Sequence, residues 1–141
     1  MSVKQISVFL ENKPGTLKKM TSVLAEHDVN IRALSLADTK DFGIVRMLVA
    51  DVFEATNVLN EANFITKLTS VLVFAISDKT GGLDRILEKF DEASINIEYM
   101  YAFAGRDNAY MIFRVNDTKA AEAALKSLGL RSLNSEDMTE V

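Results

Sequence analysis

The sequence predicts an α+β protein made of two tandem βαββαβ units. Three observations carry that expectation: an internal repeat, the same succession of strand and helix periodicities in each copy, and a glycine-containing turn before the first helix of both. Shifting the 141-residue chain against itself by 66 positions aligns Glu11–Ile65 with Ser77–Arg131 without a gap, and 11 of those 55 pairs are identical. Where identity is lost the apolar character stays, as in Met20/Ile86, Leu24/Phe90, Val29/Ile95 and Met47/Phe113. Two copies make a duplicated domain, since a solenoid needs at least about three repeats to bury its faces.

The first copy occupies residues 1–68. Ile6, Val8 and Leu10 alternate with Gln5 and Ser7, the period of a half-buried strand. Asn12-Lys13-Pro14-Gly15 ends it, and Pro14 suits a helix start because its missing N–H has no helical partner there. Leu17, Met20, Val23, Leu24 and His27 share one helical face. Strands at 29–36 and 44–50 follow, joined by the polar turn Asp38–Asp41. Asp51 is placed to cap a second helix bearing Ala55, Val58, Leu59 and Ala62.

The second copy, residues 69–141, repeats the series. Leu72, Phe74 and Ile76 form its first strand and Asp78–Gly82 the turn. Leu83, Ile86, Leu87 and Phe90 make the helical stripe, and 95–104 and 108–115 the hairpin strands. Asp117 caps a helix bearing Ala121, Ala124, Leu125 and Leu128, before a short strand near 130–133. The polar tail 134–141 is expected to fray. Almost no linker separates the copies, so one extended segment at about 64–76 has to serve both sheets.

A βαββαβ unit is the ferredoxin-like arrangement, which hosts many unrelated functions. Pairing the second strands edge to edge would give one eight-stranded antiparallel sheet with all helices on one face and would cover two edges. Val71, Val73, Ala75, Tyr110 and Ile112 lie at the opposite parity and are apolar, so that face is expected to be buried by a homodimer or by the sister domain.

Composition removes several function classes. Sixteen Lys+Arg against 20 Asp+Glu give a net charge of −4, the wrong sign for a nucleic-acid partner. There is no cysteine for a thiolate nucleophile or metal site, and a single histidine makes a His-based triad or imidazole cluster untenable. The expectation is therefore no cofactor, no metal and no catalytic residues. No stretch approaches the roughly 18 apolar residues of a membrane span, and the N-terminus has no apolar leader core, so a cytoplasmic protein without a membrane partner is expected. Within the ferredoxin-like fold, RNA readers use strand aromatics on a basic surface and metal carriers use paired cysteines. Acyl-phosphate chemistry would want an arginine in the first loop, where only Lys13 and Lys79 stand.

The first loop is the distinctive feature. Glu11-Asn12-Lys13-Pro14-Gly15-Thr16-Leu17, with Val29-Asn30-Ile31 twelve positions on, resembles the signature of ACT domains. Copy two carries an altered version, Asp78-Lys79-Thr80-Gly81-Gly82-Leu83 and Ile95-Asn96-Ile97. The resemblance spans the chain as a stand-alone tandem pair and implies a regulatory module, an allosteric sensor that binds an amino acid or related small molecule between paired domains and acts on an enzyme or transporter. It implies ligand contacts at Asn12, Asn30, Asp78 and Asn96. The physical reading agrees: a turn glycine admits a ligand to the backbone, and unpaired N–H groups at a helix start favour a carboxylate.

The expected ligand-binding set is Asn12, Lys13, Pro14, Gly15, Thr16, Leu17, Asn30 and Ile31 from copy one with Asp78, Gly81, Gly82, Leu83, Asn96, Ile97, Glu98 and Tyr99 from copy two. The stronger site is expected at copy one, with Asn12, Gly15 and Thr16 supplying the carboxylate-binding turn. Each residue also has a structural reading: the glycines as turn formers, the asparagines as strand-entry residues, His27 as a satisfied boundary residue and the Tyr99, Tyr101, Phe103 row as sheet packing. Two other functions stay open, a small enzyme using the same seam and a purely structural dimerisation module.

Overall fold

The residues that recur at a spacing of 66 are the ones that fix the backbone. In the computed structural model, which describes residues 2–38, 41–76, 79–139 and 141, Gly15 and Gly81 adopt the left-handed region at φ 90° and 85°. Asp51 and Asp117 accept hydrogen bonds from Glu54 N and Ala120 N at 3.1 and 3.0 Å, capping their helices as expected. Asp28 and Ser94 leave their helices at φ 57° and 54°, and Asn63 and Gly129 at 69° and 74°.

The elements in order are β1 (Val3–Glu11), α1 (Thr16–Glu26), β2 (Ile31–Asp38), β3 (Phe42–Val49), α2 (Val52–Glu61), β4 (Ile65–Ile76), α3 (Gly82–Glu92), β5 (Ile97–Ala104), β6 (Ala109–Val115) and α4 (Thr118–Ser127), then a 3-10 turn at Asp137–Thr139. β3 pairs antiparallel with β1 and β2, β6 pairs antiparallel with β4 and β5, and β4 is the extended segment expected to serve both copies. Two compact units result: Lys4–Thr69, and Ser70–Val141 joined by the N-terminal residues through Val3.

The first unit buries Ile6, Val8, Val45 and Met47 from the sheet against Met20 and Leu24 of α1 and Ala55, Val58 and Leu59 of α2. The second buries Leu72, Phe74, Met111 and Phe113 against Ile86 and Phe90 of α3 and Ala121 and Leu125 of α4. Its centre is aromatic: Phe74 and Phe113 stack at 5.1 Å and Phe90 meets Phe113 edge-on at 5.5 Å. The equivalent positions in the first unit are Val8, Leu24 and Met47, all buried.

Three expectations need correction. Six strands form rather than eight, because β4 does double duty and the last strand of copy two shrinks to one bridge between Phe74 and Ser132. The second strands do not pair with each other: β2 neighbours β3 alone and β5 neighbours β6 alone. Val71, Val73, Tyr110 and Ile112 are buried within the single chain, which is one of the two outcomes expected for that row. The tail is not frayed through residue 138: Asn134 and Asp137 bond each other reciprocally at 2.9 and 2.8 Å, Arg131 pairs with Asp137, and Met138 is buried. The Asn134 amide, more than Arg131, holds the Asp137 carboxyl below its ordinary pKa.

Candidate functional site

The first loop of copy one closes on itself before α1 begins. Lys13 N donates to Glu11 O at 2.9 Å, and Asn12 N donates to Asp41 O at 3.3 Å. The Thr16 hydroxyl donates to Glu11 O at 2.8 Å, with Lys13 O as a second acceptor at 3.1 Å. Lys13 Nζ lies 2.8 Å from Glu11 Oε2, and that hydrogen bond, with the lysine's charge, holds the Glu11 carboxyl below its ordinary pKa. Helix α1 starts at Thr16 with Gly15 as N-cap, so Pro14 precedes the cap and is not the first helical residue. No side chain caps α1 and its first turn carries no acidic residue, which leaves the positive end of the helix open.

Beside this loop is a cavity of about 560 Å³, within the size range of small-molecule sites. Lys13, Pro14, Gly15 and Thr16 line it, as do Phe9, Leu10, Glu11, Lys19, Phe42, Asn63, Phe64 and Ile65. A Cβ placed on Gly15 would meet nothing within 4 Å, so the glycine is required by its torsion angles and not by crowding. Pairing of Phe9 with Ile44 and Glu11 with Phe42 puts Phe9, Glu11 and Phe42 on one face of the sheet.

The other expected site residues stand elsewhere. Asn12 is exposed and outside the cavity lining, and Leu17 packs on the first core. Asn30 is exposed at the entry to β2, where its carbonyl accepts from Ala50 N at 3.0 Å, and Ile31 packs on the first core. In copy two, Gly81 caps α3, Gly82 N donates to Lys79 O at 3.0 Å, and Leu83 and Ile97 pack on the second core. Asn96 is tied through its backbone to Asn116 at 2.9 and 3.2 Å. Glu98 pairs with Arg114 at 3.3 Å, and Tyr99 is half-buried opposite Arg114. Asp78 lies outside the described residues. His27 caps α1, exposed, with Nδ1 2.9 Å from Val23 O.

Phe9, Phe42, Asn63, Phe64, Ile65 and Lys19 line this cavity and were not in the expected set. For three of them the sequence carried a signal, an unlike residue 66 positions on: Ala75 for Phe9, Asn108 for Phe42 and Arg131 for Ile65. Among the described residues no group of three or more His, Asp or Glu could hold a metal ion, and no helix is long and apolar enough to cross a membrane.

The model of a family described as an ACT domain pair matches residues 1–141. The chain belongs to that family. A solved structure of a protein from Bacteroides thetaiotaomicron is 33% identical with a TM-score of 0.93, covering 100% of this chain and 98% of that one. The ligand-free regulatory subunit of aspartate kinase from Thermus thermophilus shares the fold at 16% identity and TM-score 0.65, covering 89% of each chain. Its counterpart from Thermus flavus does so at 16% and 0.61, covering 97% of this ACT domain pair and 92% of that chain. No curated protein matches the sequence.

Proposed function

We propose that this ACT domain pair is a regulatory module that binds an amino acid or a closely related small molecule at the first loop of copy one. The observation that carries the reading is the cavity beside Lys13–Thr16, open to an uncapped helix start. Backbone N–H groups of the first turn of α1 offer donors for a carboxylate, and the dipole of the helix favours its charge. The Thr16 hydroxyl is already committed to the loop carbonyls, so its role is to hold the turn shut while the backbone binds. The regulatory part of the reading is supported by family membership and has an enzyme or a transporter as the regulated partner. The second loop, built on the same backbone with Gly82 in place of Thr16, is the weaker site.

Screening thermal stability against the standard amino acids tests this directly. A ligand at one hundred times its dissociation constant adds about 2.7 kcal/mol, a rise of several degrees for a chain of this size. Gly15→Val should remove the rise, because a β-branched residue resists the left-handed torsions that the turn needs. Unchanged melting with every amino acid and with small amino-acid-derived metabolites would sink the proposal.

A further inference from the structure

Three large apolar side chains border the cavity and stay exposed: Phe9 at 36%, Phe42 at 55% and Ile65 at 69%. The fold itself does not demand them. Copy two builds the same left-handed glycine turn with Ala75, Asn108 and Arg131 at the aligned positions. Among the described residues every exposed large apolar side chain lies between Phe9 and Leu68, and the three beside the first loop line one cavity. In the same lining, Lys13 and Lys19 against Glu11 leave a single positive charge in a chain whose net charge is −4. Lys13 is engaged by Glu11, whereas Lys19 forms no ion pair among the described residues.

We propose that the cavity takes a monocarboxylate with an apolar, ring-sized side chain. Its carboxylate sits on Lys19 and the amides that open α1, and its side chain covers Phe9, Phe42 and Ile65. This narrows the ligand-binding reading above and rests on it. One negative charge matches the net positive charge of the lining, and an apolar ring packs against the exposed Phe9, Phe42 and Ile65 side chains. A second carboxylate, as in aspartate, would be set against that apolar wall without a partner.

The test uses the full chain, with L-phenylalanine, 3-phenylpropionate and L-aspartate as probes, read by calorimetry and by backbone amide shifts. L-phenylalanine or 3-phenylpropionate should bind and move the amides of Lys13, Gly15 and Thr16, and the difference between the two reports whether an α-ammonium contributes. L-aspartate should bind at least tenfold more weakly. Phe42→Ala and Ile65→Ser should each weaken binding at least fivefold, Phe42→Leu should restore most of the loss, and Lys19→Gln should weaken the carboxylate probes. Phe53→Ala removes an apolar side chain 71% exposed on α2 and outside the cavity, and should leave binding unchanged. Aspartate binding at the same amides as tightly as the ring-bearing probes would overturn the ligand class and leave the amino-acid reading standing. No response to any amino acid or to 3-phenylpropionate would overturn both. A concentration-dependent dimer that Phe42→Ala abolishes, without probe binding, would assign the patch to a second copy and overturn the proposal.

Discussion

The first loops of the two units share a backbone and differ in what surrounds it. Gly15 and Gly81 cap α1 and α3 at φ/ψ of 90°/−15° and 85°/−2°, and neither helix has a side-chain cap. Around the first stand Phe9, Phe42, Ile65 and Thr16; the aligned residues in the second are Ala75, Asn108, Arg131 and Gly82. The cores differ in the opposite sense, with Phe74, Phe90 and Phe113 where the first unit has Val8, Leu24 and Met47. The duplicated chain has thus kept residues that set torsions and caps while exchanging those that set volume and surface. Backbone geometry tolerates few residue types at a left-handed turn or a cap, whereas a core accepts many apolar fillings of the right total size.

The cores should give the largest difference between the units. Phe113→Ala should cost about 3–5 kcal/mol in urea unfolding and Met47→Ala about 2–5, with the phenylalanine the larger because it removes two ring contacts. A smaller loss at Phe113 would show that the aromatic cluster repacks.

The turns should behave as twins. Gly15→Ala and Gly81→Ala should each destabilise by about 1–2 kcal/mol, since an added Cβ meets open space at both and only the torsion is penalised. Unequal losses would mean that one turn relaxes out of the left-handed region.

Removing the caps sharpens the same comparison at lower cost. Asp51→Ala and Asp117→Ala should each lose about 1 kcal/mol, a matched drop in melting temperature for bonds of 3.1 and 3.0 Å.

The smallest effect belongs to Glu11, whose aligned residue is Ser77. Its carboxyl titrates below the ordinary 4.5 because Lys13 bonds and faces it. A lowered folded-state pKa contributes stability above the unfolded value, lost as pH falls through the folded one. Carboxyl NMR should therefore place the Glu11 midpoint below pH 4.5, and Lys13→Met should raise it.

Much of this was legible in the sequence, for identifiable reasons. The repeat, the cap positions, the shared β4 and the helix stripes all follow from local periodicity or from residues with few alternatives. The cavity was half legible: Lys13–Thr16 lie in one loop, but Phe9, Phe42 and Ile65 come from three strand ends separated in sequence, and no periodicity links them. For Val71, Val73 and Ile112 parity told which face they occupy and left open whether a second copy or the same chain covers it; they are buried within one chain. The ordered tail was missed because its stability rests on the reciprocal Asn134–Asp137 bonds, a pair that composition alone reads as polar and loose.

Because the two glycine turns are matched in torsion angle, the chain carries its own reference signal. Heat, salt or a change of solvent that loosens a helix start acts on Gly15 and Gly81 alike and shifts both amides in parallel. A molecule that lodges beside only one of them separates the pair. The difference between the two resonances then reads occupancy in a single sample, with drift in conditions subtracted by the molecule itself.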